Sequence, residues 1–241
     1  MKKKFSSKII YISAVLVGSS LLAAPALAAR AATASSDAAL TTAQQQRLDN
    51  IKTRGANEIN RRLTALNNVL GRISSASKLS AENKATLTTA VKDEVTGLTT
   101  LKSKLAADTA LDAAKADAQS VINDYRVYAL LLPKVWLLRA VDAEQVSEDK
   151  LTALATKLKT RIDAAKPPVP DAQTKLDDMN AKIAAAKTIT TNLEAKLLPL
   201  QPTDYNSDHT VLSGSLAQIK QAHTDNKAAY DDAKAIRAAL K

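Results

Sequence analysis

Val121-Ile-Asn-Asp-Tyr125-Arg-Val-Tyr128-Ala-Leu-Leu-Leu-Pro133-Lys-Val-Trp136-Leu-Leu-Arg139-Ala-Val141 contains Tyr125, Tyr128 and Trp136, three of the five aromatic residues outside the first 28 positions, and the densest aliphatic run there. As helix, Leu111, Ala114, Ala118, Val121, Tyr125, Tyr128, Leu132 and Val135 step by three and four, the spacing of a core seam. Pro133 removes a backbone donor, and its ring crowds the carbonyl of Ala129, so a kink or break is expected there. Tyr125, Tyr128, Leu132, Pro133, Trp136 and Arg139 form the candidate interaction or packing cluster. Two uses compete for it. Aromatic and Arg side chains dominate binding hot spots, which suits a partner or sugar-stacking face. In a chain otherwise packed with Leu, Ile and Ala, filler at the proline joint is simpler and is preferred, with the hydroxyls and the indole N–H reaching the surface. A membrane-inserting tongue over residues 127–141 is too short and, with Lys134 and Arg139, too charged to span.

Outward from this stretch, helical stripes continue in both directions. Upstream, a first helix from Thr42 carries Leu48, Ile51, Ile59, Leu63, Leu66, Leu70 and Ile73, is weakened at Gly55, and places Glu58 before Arg62 on its exposed side. Ser80 can cap a second, with Leu87, Val91, Val95, Leu98, Leu101 and Leu105 as its stripe. Thr109-Ala-Leu-Asp112 has capping-box spacing and opens the third. Downstream, Leu151, Leu154, Leu158 and Ile162 lead to a hard stop at Pro167-Pro168-Val-Pro170. Asp171 can cap a helix on Leu176, Met179, Ile183, Ala186, Ile189, Leu193 and Leu197. Residues 199–209 are loop-like, and from Thr210 a last helix uses Leu212, Leu216, Ile219, Tyr230, Ala233, Ile236 and Leu240. His223 and Asn226 stand in its seam where Leu is expected, so it should be the least firmly docked. Alternating patterns are absent and glycines number only five, so the fold class is all-α. The expected architecture is an elongated antiparallel helical bundle, two three-helix bundles in series (42–132 and 133–241) joined at the proline-kinked central helix, with a single folded-back bundle as the alternative.

Residues 1–28 have the form of a secretory signal peptide: Lys2, Lys3, Lys4 and Lys8, an apolar Ile9–Leu22 core, and Ala26-Leu27-Ala28 before cleavage. Its loss leaves a soluble exported chain, and an uncleaved membrane anchor is the alternative. Residues 29–41 are small and polar and are expected to be disordered. The four leader lysines have no acids beside them, so the charge falls from +10 to +6 without them. That mild excess, spread along helices, suits weak attraction to an anionic cell-surface polymer or lipid headgroups. Export excludes genomic DNA as a partner and leaves another envelope protein or an anionic cell-surface polymer as the candidates. With no cysteine, the chain has neither disulfides nor a lipid-modified thiol.

Glu58-Ile-Asn-Arg-Arg-Leu63-Thr-Ala-Leu66-Asn, Leu98-Thr-Thr-Leu101-Lys-Ser-Lys and Tyr125-Arg-Val-Tyr128-Ala-Leu-Leu-Leu-Pro133 with Arg139-Ala-Val-Asp142 resemble a recurring group of exported, alanine-rich, all-helical proteins of small-genome candidate bacterial phyla. The resemblance implies export and a helical fold and assigns no activity. The inventory for catalysis is poor: His209 beside Asp204 and Asp208 lacks a second ligand at helical spacing, as does His223. Asp177-Asp178 and Asp231-Asp232 are expected as helix-surface charges, and no Gly-rich phosphate loop, Gly-x-Ser-x-Gly or Cys-x-x-Cys occurs. The expectation is therefore a non-catalytic structural or interaction protein of the cell envelope, a helical spacer or adhesin-like rod, with no cofactor and no metal. An envelope-associated binder of anionic polymer or lipid headgroups is the alternative, and a hydrolase without a recognisable motif comes third.

Overall fold

Thr41 shows how the first described helix begins. Its hydroxyl accepts from the Gln44 N–H at 3.3 Å, while the Gln44 side chain accepts from the Thr41 N–H at 2.9 Å, a reciprocal pair that satisfies orphan donors of the first turn. The computed structural model describes residues 40–241; the expected signal peptide and the part of the expected disordered tail up to residue 39 lie outside them. Among the described residues every regular element is helical. They are α1 (Thr42–Ser75), α2 (Ala81–Ala107), α3 (Leu111–Asn123), a π turn (Val127–Leu131), α4 (Leu132–Ala164), α5 (Pro170–Leu197), α6 (Pro202–Ser207) and α7 (Ser215–Ala239).

Helix starts follow the local chemistry with corrections. Ser80 caps α2 as expected, its hydroxyl accepting from the Asn83 N–H at 3.1 Å. The capping box at Thr109 does not form: Ala110 is the cap and Asp112 is exposed. Asp171 is not a cap either, because Pro170, whose fixed φ suits a first helical position, starts α5 one residue earlier. The segment expected as loop contains α6, and the last helix begins at Ser215, after Gly214 takes a left-handed φ of 76°.

The largest departure lies in the central stretch. The expected break at Pro133 occurs instead at residues 124–126, where Arg126 adopts φ 40° and ψ 35°. Beyond it the Leu132 N–H reaches the Val127 carbonyl five residues back. This wider π spacing admits Pro133 near the start of α4, where a missing N–H costs little, and the helix runs on to Ala164. The break and the extra residue per turn also change the phase of the seam. Val127, Leu130, Leu131, Val135, Leu138 and Val141 are buried, whereas Tyr128, which the uninterrupted stepping places inside, is exposed.

Buried side chains fall into two hydrophobic groups. One joins α1, α2, α3, the π turn and α4 as far as Val141, with Leu193 and Leu197 of α5 and Ile219 of α7. The other joins Leu151, Ala155, Leu158 and Ile162 of α4 to Leu176, Met179 and Ile183 of α5 and Ala229, Ala233 and Ile236 of α7. Between them lies a polar layer. Asn83 donates to Asp142 at 2.8 Å and to Glu194 at 2.7 Å, Gln145 donates to Glu194 at 2.8 Å, and Thr190 donates to Glu148 at 3.1 Å. The two hydrophobic groups therefore part near residues 142–148 of α4.

Individual contacts set the helix register. Lys52 of α1 donates to the Ala106 carbonyl at 3.0 Å and Lys102 of α2 to Asn60 at 2.8 Å, so rising numbers on α1 meet falling numbers on α2. Arg62, expected on the exposed side, is 6% exposed; it pairs with Glu58, and its guanidinium lies 5.2 Å from the centre of the Tyr128 ring. Asp232, expected as a surface charge, is buried between Lys175 at 3.3 Å and Lys182 at 2.5 Å. Asn226 is buried and donates to Glu144 at 2.9 Å, a polar contact in place of the expected Leu.

Gly55 does not weaken α1 by accident. A Cβ there would stand 2.4 Å from Leu105 Cδ2, so the glycine is what lets α2 come close. Gly71 of the same helix faces open space. Gly71→Ala should therefore stabilise the protein by about 0.5–1 kcal/mol, and Gly55→Val should cost about 1–3 kcal/mol through overpacking. Urea titration of both variants checks the contrast, and equal effects of the same sign would refute the close approach.

Candidate functional site

Where the chain turns from α3 into the π turn, it covers a small cavity. Asp93 and Glu94 approach from α2, Tyr125 from the break, Leu130 and Leu131 from the π turn, and Lys134 from α4; Leu200, Gln201 and Pro202 close the remaining side. The cavity volume is about 160 Å³. Each wall has a local cause. Gly97 lets the Tyr125 ring rest on α2, because a Cβ there would be 2.8 Å from both the hydroxyl oxygen and Cε1 of that tyrosine. The Lys134 ammonium donates to the Leu200 carbonyl at 2.9 Å and so ties the closing segment to α4. The α6 end is tied to the break itself: Arg126 donates to Asn206 at 2.5 Å, and Asn206 donates to the Asn123 carbonyl at 2.8 Å.

The titratable groups are perturbed in ways the burial explains. Glu94 is pushed up to about 7, first by burial and then by neighbouring Asp93, with Lys134 opposing. One of its oxygens, Oε2, is buried without a protein hydrogen-bond partner. Lys134, only 4% exposed, is lowered by burial, against the pull of Asp204 and Glu94. Burial raises the Tyr125 hydroxyl, and the charges of Glu94 and Asp124 add to that. A carboxyl group that changes charge near neutrality thus faces an ammonium and a phenol in one partly open pocket, an arrangement able to hold a proton or a small charged guest.

The candidate cluster of the sequence divides between this cavity and the surface. Tyr125 is half-buried and lines the cavity; Leu132 and Pro133 are half-buried, with Leu132 packed on the first core. Arg139 is half-buried. Trp136 is 53% exposed and Tyr128 46% exposed, so neither is the core filler expected of it. The reason is again phase: on α4 the buried set is Lys134, Val135, Leu137, Leu138 and Val141, which leaves Trp136 facing outward. His209 lies against Tyr205, ring centres 4.9 Å apart, and His223 stands 3.0 Å from Glu144. Among the described residues no group of three His, Cys, Asp or Glu side chains gathers as a metal site.

Sequence reasoning missed Asp93, Glu94 and Gly97, although a signal for one was present. Leu87, Val91, Glu94, Leu98, Leu101 and Leu105 step by four and three, so Glu94 occupies a seam position on α2. A carboxylate in a seam must find a partner or change its proton affinity. Neither a protein-family model, nor a curated protein, nor a solved structure matches the chain.

The sign of the Glu94 effect follows from linkage. The folded protein holds this proton up to about pH 7, whereas the unfolded chain releases it near the ordinary value of 4.5. Its contribution is therefore fully present below about pH 4.5 and is lost as the pH rises through about 7. Glu94→Gln keeps the neutral shape and should become more stable relative to the parent as the pH goes from 4.5 to 8. Denaturant unfolding of both proteins across that range tests this; a difference independent of pH would mean that Glu94 is not perturbed.

Proposed function

We propose that the chain is an exported, non-catalytic interaction protein of the cell envelope, built as two antiparallel three-helix bundles in series that share α4. The observation that carries this reading is the exposure of Trp136. A solvent-facing indole leaves a large apolar surface in water, and Trp, Tyr and Arg are the residues that most often anchor interfaces. The first core is filled by aliphatic side chains beneath it, so Trp136 is spare for a partner. Tyr128, also exposed and held by Arg62, supplies a second aromatic from the same central stretch. Support for the bundle arrangement comes from the α1–α2 register and from the two hydrophobic groups on either side of the polar layer. Support for export comes from the basic, apolar and Ala-x-Ala succession of residues 1–28. The partner is another envelope protein, met through a surface in which the aromatic residues are the anchors.

Trp136 is the only tryptophan, so its fluorescence reports this position alone. Its emission should be water-like and readily quenched. Trp136→Ala should melt within about 0.5 kcal/mol of the parent, as surface substitutions do, and should lose the partner captured by crosslinking on intact cells. A blue-shifted emission, or a cost of about 3–5 kcal/mol as for a buried Trp, would place the side chain in the core and remove the proposal's main support.

A further inference from the structure

The cavity beneath the π turn is lined by neither Tyr128 nor Trp136. At about 160 Å³ it compares with an engineered apolar cavity of about 150 Å³ that takes up benzene, room enough for a guest of several non-hydrogen atoms. Its charges do not balance: Asp93 and Glu94 line it against Lys134, leaving one negative charge in excess when both acids are ionised. The lysine is already satisfied in part by the Leu200 carbonyl, whereas Glu94 Oε2 has no donor among the protein groups. What Glu94 lacks is a donor, because the one ammonium lining the cavity, that of Lys134, is turned to the Leu200 carbonyl. Asp93 and Glu94 are too few to cage a metal ion, and no third His, Cys, Asp or Glu joins them. Ala90, Leu130 and Leu131 supply apolar wall beside the carboxylate.

We propose that this cavity binds a small primary ammonium ion, with the Glu94 carboxylate as its counter-charge, the Tyr125 oxygen as a further acceptor, and Ala90, Leu130 and Leu131 against a short alkyl chain. The ammonium gives Glu94 Oε2 the donor it lacks and brings the lining charge to zero. The groups facing Glu94 are Asp93 on its own helix, Tyr125 at the break and Lys134 on α4, with Asp204 of α6 acting on the lysine. Because Glu94 must be ionised to pair, and holds its proton up to about 7, binding strengthens as the pH rises through that value. The apparent Kd is expected to be about tenfold larger at pH 6 than at pH 8.

The test uses the full chain with n-propylammonium chloride, and n-propanol and sodium propionate as neutral and anionic probes of similar size at matched ionic strength. Propylammonium alone should raise the Tm, by about 3–6 °C at ten times its Kd, and calorimetry should find a single site. Glu94→Gln should abolish the shift. Ala90→Leu, which fills the cavity and leaves every titratable group in place, should abolish it too, so the result does not depend on one variant folding. An equal shift with propanol or propionate would overturn cation recognition. No shift at about 100 mM, about a hundredfold above a millimolar Kd, would overturn the assignment and leave a cavity holding only water. Binding retained in both variants would place the guest elsewhere and equally refute the assignment.

Discussion

The five-residue hydrogen-bond spacing between Val127 and Leu132 is the constraint on which the central part of this protein depends. A helix that keeps one spacing keeps one face inward; inserting a residue into a turn rotates everything after it. Here the rotation follows a left-handed residue at Arg126, and the two together turn Leu130, Leu131 and Lys134 toward α2 while Tyr128 and Trp136 turn outward. The aromatic surface and the partly open cavity are thus two consequences of one backbone event. Pro133 is compatible with it because a proline near a helix start forfeits little.

The protein places charge inside where aliphatic packing would be simpler. Arg62, Glu94, Lys134, Asp142, Glu148 and Asp232 all sit within helices at inward positions. Some are fully answered: Asp232 by two lysines, Asp142 by the Ser80 N–H at 2.6 Å and the Asn83 amide. Buried pairs of this kind add little net stability over hydrophobic replacements, but they penalise every helix register that separates the partners. In long helices whose seams repeat Leu, Ile and Ala, such pairs remove the ambiguity a sliding stripe would leave. Glu94 is answered only in part by Lys134, and the difference appears as a carboxyl group whose pKa is pushed up to about 7.

The helix termini show how local and distant chemistry divide the work. Thr41 and Ser80 cap because their hydroxyls meet backbone donors within three residues, a matter that nothing remote can alter. Thr109 does not cap: α3 starts at Leu111 with Ala110 as its cap residue and no side-chain hydrogen bond there. The segment after Pro199 looked structureless because it is rich in Pro, Asn and Asp. It forms a short helix whose Asn206 meets Arg126 and the Asn123 carbonyl, partners some eighty positions away that no local pattern discloses.

The sequence by itself determined that the chain is helical, where most helices begin and end, and which aliphatic residues pack: Leu48, Ile59, Leu66, Leu87, Leu98, Leu176 and Leu193 step by threes and fours and are all buried. These are properties of one helix at a time, set by periodicity and by groups within a turn of each other. Only the tertiary structure decided the sites. Whether Gly55 and Gly97 are weaknesses or seats depends on Leu105 and Tyr125 arriving against them. Whether Trp136 is core or surface depends on a change of hydrogen-bond spacing that leaves the residue pattern untouched. Glu94, Tyr125 and Lys134 act together because helices distant in sequence are close in space, and proton affinity depends on distance and burial, which a linear chain does not possess until it folds.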